Sequence, residues 1–188
     1  AEMCWGDTGL LLSMPRQGLG NSAIASVADA EQQKRYEGVW AAMAITEPGF
    51  GSDSAAVSTT AVLDGDDYVI NGQKMWTSLI EYADYIWLAA LTDPEAQRHR
   101  GVSILVVPTD VEGFSWTKVH TVAGPGTSAT YYQDVRVPVT SVVGDLHGGW
   151  KLITNQLNHE RVALTSAAPL LDSERQVRHW AQNTKLAD

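Results

Sequence analysis

Cysteine is nearly absent: Cys4 is the only one in 188 residues, so no internal disulfide can form, and the chain suits a reducing compartment. No apolar run approaches the ~18 residues of a membrane-spanning helix, and no signal-peptide pattern is present, so a cytoplasmic protein without membrane contact is expected. Basic residues are scarce, 13 Lys and Arg against 22 Asp and Glu, for a net charge of −9, which argues against nucleic acid as a partner. A polyanionic ligand would have to be met by a few local cations and backbone donors. The chain also lacks a G-x-G-x-x-G between a strand and a helix, so a Rossmann-type dinucleotide site is disfavoured. His120, His147 and His159 have no metal-ligand spacing, and no metal site is expected.

Against these absences stands Ala44-Ile45-Thr46-Glu47-Pro48-Gly49-Phe50-Gly51-Ser52-Asp53. Small apolar residues lead into a Pro-Gly turn, a second glycine lets backbone N–H groups approach a ligand, and Ser52 with Asp53 can cap a helix or bind a phosphate oxygen. A tight loop with no ligand would carry the same residues. Further on comes Lys74-Met75-Trp76-Thr77-Ser78, a strand segment with an indole beside two hydroxyls. A flat aromatic face with adjacent hydrogen-bonding groups suits a planar heteroaromatic cofactor.

Residues Trp5 to Arg35 read as helical, broken at Pro15, Gly18 and Gly20, with a capped helix start at Asp29-Ala30-Glu31-Gln32 whose charges form a solvated face. From Val57 the period becomes two. Val57–Leu63, Tyr68–Ile70, Gln73–Thr77, Ala83–Leu91, Val102–Val107, Phe114–Lys118 and Thr130–Val137 are predicted strands, with Gly65-Asp66 and Asn71-Gly72 as turns and Asn71-Gly72 the stronger hairpin signal. Such a series makes an antiparallel sandwich or barrel, and with the helices an α+β fold. Gly148-Gly149-Trp150 opens a helix whose apolar stripe is Trp150, Ile153, Leu157, Leu164 and Ala168. Glu160 falls on that stripe, where an unpaired carboxylate is costly. Either it pairs with Arg161 or His159, or it faces a ligand. Pro169 would kink or end this helix.

The runs TEPGFGSD, DGDDYVINGQKMWTS and YADYIWLAALTD, in that order, closely resemble the central β-domain of the acyl-CoA dehydrogenases, over roughly Gln32 to Arg161. The resemblance implies an acyl-CoA dehydrogenase-like fold in which 1–40 ends an N-terminal helical domain, 41–147 is the β-barrel or sandwich that binds flavin, and 148–188 begins a C-terminal helical domain. Family members are longer, so a fragment lacking both ends is expected. The implied activity is FAD-dependent α,β-dehydrogenation of an acyl-CoA thioester to the trans-2-enoyl-CoA, an oxidoreductase of fatty acid or steroid degradation.

Matched position by position, Met43, Ala44, Ile45, Thr46, Gly49, Gly51 and Ser52 would line the flavin, and Trp76, Thr77 and Ser78 would cover its ring. Ser52, Asn158 and Arg161 would meet the substrate. The family's usual strand reads W-I-T, so Ser78 stands where a threonine approaches the flavin N5. Glu160, immediately before Arg161, matches one of the two positions at which family members carry the base that removes the α-proton; the other lies late in the C-terminal domain. Where the family has an arginine that reaches a neighbouring subunit's FAD, this chain has Thr184, and Ala187 replaces a nearby phenylalanine. That departure fits an α2β2 tetramer, as against a homotetramer, and leaves open a non-catalytic partner subunit without a working flavin site. An electron-transfer flavoprotein is the implied electron acceptor.

Overall fold

The structure, a computed structural model, describes residues 19–122, 126–164 and 167–184. The described residues fall into two compact units, 19–156 and 157–184. The first takes in the helices before the sheet, the whole sheet, and the opening turns of the helix after it.

Helix α1 (Leu19–Val27) lies against the sheet at backbone distance. A Cβ on Gly20 would stand 2.4 Å from the Ala41 carbonyl oxygen, so only glycine permits the approach. Helix α2 (Ala30–Arg35) begins as its sequence predicts, Asp29 accepting a hydrogen bond from the Gln32 amide at 2.8 Å. Its face is only partly solvated. Gln32 is buried and donates Nε2 to the Val142 carbonyl at 2.7 Å, tying α2 to the far end of the sheet.

Among the described residues, eight strands form one sheet: β1 (Ala41–Ala44), β2 (Thr60–Asp64), β3 (Asp67–Ser78), β4 (Tyr85–Leu91), β5 (Val102–Pro108), β6 (Phe114–Val119), β7 (Thr127–Pro138) and β8 (Val142–Val143). Their order is β6-β7-β3-β2-β4-β5-β8, with β1 also beside β4. Pairing is antiparallel except where β1 and β2 run parallel to β4. β4 and β5 are buried on both faces, which explains their unbroken apolar runs. One face carries the main core of Tyr68, Ile70, Ile86, Leu88, Leu105 and Val135.

Two sequence expectations are corrected. Asn71-Gly72 is not a hairpin turn, because β3 runs unbroken through it; the turn is at Gly65-Asp66, where Asp64 pairs with Asp67. Asn71 instead sits at a bulge and exchanges hydrogen bonds with Asp134 on β7, at 2.9 and 3.0 Å. A Cβ on Gly72 would lie 2.5 Å from Thr59 Oγ1, so glycine here serves close packing. The second correction concerns Ala168, placed on the stripe of Trp150. The helix α3 (Gly149–Leu164) ends before it, and Pro169 lies in the first turn of α4 (Ala168–Asn183), where a missing N–H costs nothing. Ala168 therefore does not share a helix with Trp150. The expectations for Trp5 to Gln17 and for Ala187 lie outside the described residues.

Candidate functional site

The edge of β4 is shared end to end by two parallel strands. β1 pairs with it from Tyr85 to Leu88, and β2 meets it at Leu91. Between them the chain leaves the sheet for residues 45–59 and returns where the Leu91 amide donates to the Thr59 carbonyl at 2.8 Å. β3 pairs with β2 only as far as Asn71, and beyond that point the excursion takes the place of β2. The Met75 amide donates to the Thr46 carbonyl at 2.8 Å, and Lys74 Nζ donates to the Ile45 carbonyl at 3.1 Å. The turn itself is closed by reciprocal bonds between Glu47 and Phe50, at 3.0 and 3.1 Å. The two stretches singled out in the sequence are thus fastened to each other.

The tryptophan is re-aimed by a second bulge. Lys74 pairs with Thr130 and Thr77 with Ser128, so Met75 and Trp76 together oppose Ala129 alone. Trp76 has φ of 63° and is 54% exposed. A tryptophan in left-handed backbone costs about 1–3 kcal/mol, which the surrounding sheet must sustain. Ser78 is exposed on the same segment, whereas Thr77 is fully buried with its hydroxyl 3.4 Å from that of Thr130. Thr77 therefore supports the strand from within.

At the end of β1, Met43 is half-buried and Ala44 buried; on the excursion, Ile45 and Thr46 are half-buried, and Gly49, Gly51 and Ser52 are exposed. A Cβ on Gly49 or Gly51 would meet nothing within 4 Å, and neither residue has positive φ. The protein's own packing and backbone do not require glycine at either position. Exposed turn backbone, an exposed indole and the Ser78 hydroxyl are the kinds of group that a flat, phosphate-bearing heteroaromatic ligand would use. Asn158 is exposed on α3; the side chains of Glu160 and Arg161 lie outside the described residues, although the helix runs through both.

The sequence reading missed the pair that fastens this site. Lys74 Nζ lies 2.8 Å from Glu47 Oε1, and both side chains are almost wholly buried, at 0% and 2% exposure. Glu47 also accepts from the Thr59 amide at 2.9 Å, the Ser58 amide at 2.8 Å and the Ser58 hydroxyl. Burial alone would raise the Glu47 pKa, but the Lys74 charge and these hydrogen bonds outweigh it and hold the carboxyl at about 2. Burial pushes Lys74 down to about 8 against the pull of Glu47. Hydroxyls dominate this end of the interior, where Thr59, Thr77, Ser128, Thr130 and Tyr132 are all buried.

An acid dependence follows. The native Glu47 pKa lies below the ordinary 4.5, so its stabilisation is full above about pH 4.5 and is lost as pH falls through about 2. Lys74 acts oppositely, its buried charge being relieved as pH rises past about 8. Urea unfolding at pH 6 and pH 3 should show a large acid loss in the wild type and a smaller one in Glu47→Gln. Equal losses would mean that other carboxylates carry the effect.

Among the described residues no group of three or more His, Cys, Asp or Glu could hold a metal ion, and no helix is long and apolar enough to cross a membrane. His147 is engaged locally, its Nδ1 lying 2.9 Å from Thr92 Oγ1 and its amide donating to Ser103 Oγ.

A family model described as acyl-CoA dehydrogenase, middle domain, matches residues 42–135. The acyl-CoA dehydrogenase FadE26 of Mycobacterium tuberculosis is 68% identical over 143 residues, covering 74% of this chain and 36% of the relative. FadE29 of the same organism is 51% identical over 141 residues, again covering 74% and 36%. The chain therefore spans about a third of the length of these curated relatives. Among solved structures, the ChsE4-ChsE5 complex from Mycobacterium tuberculosis is similar at a TM-score of 0.76 with 58% identity, covering 88% of this chain and 45% of that one. The Tcur3481-Tcur3483 steroid ACAD is similar at 0.77 with 46% identity, covering 92% and 46%.

Proposed function

Since the chain belongs to the acyl-CoA dehydrogenase family, we propose that it provides the flavin-binding core of an FAD-dependent acyl-CoA dehydrogenase. The observation that supports the reading is the hydrogen bond from Met75 to Thr46, which joins the strand segment carrying the exposed Trp76 to the segment that leads into the open glycine turn.

Each residue then has a defined part. Trp76 offers its indole face to the ring, Thr46 and Ser78 offer hydroxyls to its edge, and the backbone from Gly49 to Ser52 offers donors to phosphate oxygens. Glu160 on α3 takes the α-proton of the thioester, and Asn158 and Arg161 help to hold the substrate. FAD, when bound, supplies the acceptor for the hydride that leaves the β-carbon. The substrate class is a steroid-bearing acyl-CoA, supported by likeness to a protein described as a steroid ACAD. The assembly is a heterotetramer, supported by likeness to two structures of paired chains. Electrons pass to an electron-transfer flavoprotein, in the cytoplasm.

The test is spectroscopic. The protein, purified alone and after co-expression with a second acyl-CoA dehydrogenase chain, should carry a flavin absorbance band that a steroid acyl-CoA bleaches. A folded but colourless protein in both preparations would overturn the proposal in favour of a non-catalytic partner subunit, the reading that Thr184 in place of arginine would then carry.

A further inference from the structure

We propose that Glu47 and Lys74 are positioning residues, a buried pair that holds the glycine turn and the Trp76 bulge at a fixed separation before any ligand arrives. The inference rests on the flavin reading for what occupies the site, but not for the positioning itself.

The excursion from 45 to 59 has little regular structure to hold it, only the Glu47–Phe50 bridge and one short 3-10 turn over Ser54–Ala56. The ion pair supplies what is missing. Lys74 reaches the start of the excursion through the Ile45 carbonyl and Glu47, while the Glu47 carboxylate gathers the amides of Ser58 and Thr59 at its far end. Both ends of the loop thus converge on one side chain of β3. That side chain belongs to the residue just before the bulge that turns Trp76 outward.

Stability does not account for the pair. A buried ion pair replaced as a unit by apolar groups of similar size is commonly neutral or stabilising, because two charges no longer need to leave water. Neutral groups would fill the same volume, and a glutamine at 47 could still accept from Ser58 and Thr59, but a methionine at 74 could donate to neither Ile45 nor residue 47, so the tie to β3 would be lost. What the charges add is direction: a fixed distance between two segments otherwise joined by the Met75-to-Thr46 backbone bond and a long bond from Thr59 Oγ1 to the Gln73 carbonyl at 3.5 Å. A planar ring held between them requires that distance to be set closely, since misplacement of about 1 Å is enough to cost a binding or catalytic constellation its function.

The double variant Glu47→Gln/Lys74→Met tests this, with Arg136→Met on an exposed ion pair as control. The melting temperature of the double variant should stay within about 5 °C of the wild type. Amide exchange across residues 45–59 should quicken by about tenfold or more without added flavin, and FAD should bind about tenfold or more weakly with less quenching of its emission. The control should change none of these. Wild-type exchange in a folded double variant would overturn the inference, whatever its flavin affinity. If the double variant does not fold, Glu47→Asp keeps both charges and shortens the reach by one methylene. It should still fold cooperatively, yet exchange faster over 45–59 and bind FAD more weakly; wild-type behaviour in both would overturn the inference. A wild type that binds no FAD would instead sink the flavin reading, leaving the exchange result to decide the positioning.

Discussion

Lys74→Met, made alone, should lower stability by about 3–5 kcal/mol, a large share of the roughly 5–15 kcal/mol that holds a typical domain folded. The reason is the partner left behind. Glu47 would remain buried, still accepting from Ser58 and Thr59, but with no cation within reach of Oε1. Its pKa should then rise, because burial opposes ionisation and the main opposing charge is gone. The sign of the pH response follows. The wild type loses the Glu47 contribution as pH falls, whereas the variant should recover stability on mild acidification as the buried carboxyl takes up a proton. Urea midpoints of both proteins between pH 4.5 and 7.5 would show it. A loss below about 1 kcal/mol, or parallel pH profiles, would mean that Glu47 reaches water or another cation.

Glu160→Gln should leave flavin content unchanged and slow substrate bleaching of the flavin band by about 10²–10⁴-fold, the usual span for removing a general base. Glutamine keeps the size of the side chain and removes its ability to accept a proton. Rapid mixing of the loaded variant with acyl-CoA measures the effect. Unaltered bleaching would place the base elsewhere in the full-length enzyme. Loss of flavin together with loss of bleaching would make Glu160 a structural residue, the ion-pair reading that its sequence also allows.

Much of the candidate site could be read from the chain because its two halves are contiguous motifs. Thr46 to Asp53 and Lys74 to Ser78 each show their chemistry locally, and Asp29 marks its helix start in the same way. The buried pair was hidden by one misread turn. Tyr68, Ile70, Gly72 and Lys74 share a strand phase, and the first two are buried, so Lys74 on that face demands a partner. Treating Asn71-Gly72 as a hairpin cuts the strand between Ile70 and Lys74 and removes the demand. The outward turn of Trp76 was not legible at all. Strict alternation gives it the phase of buried Lys74, and only the two-against-one bulge opposite Ala129 reverses it. β1 was equally hidden, since Ala-Ala-Met-Ala has weak strand preference and is held by its place on β4.

On the proposed flavin reading, the left-handed backbone at Trp76 sets folding and ligand capture against each other at one position. Glycine there would release local strain of about 1–3 kcal/mol while giving up the indole. Selection of heat-resistant variants from a random library, with no pressure to keep a yellow protein, would therefore drift away from tryptophan at this point. The same selection under flavin-limited conditions would hold it in place.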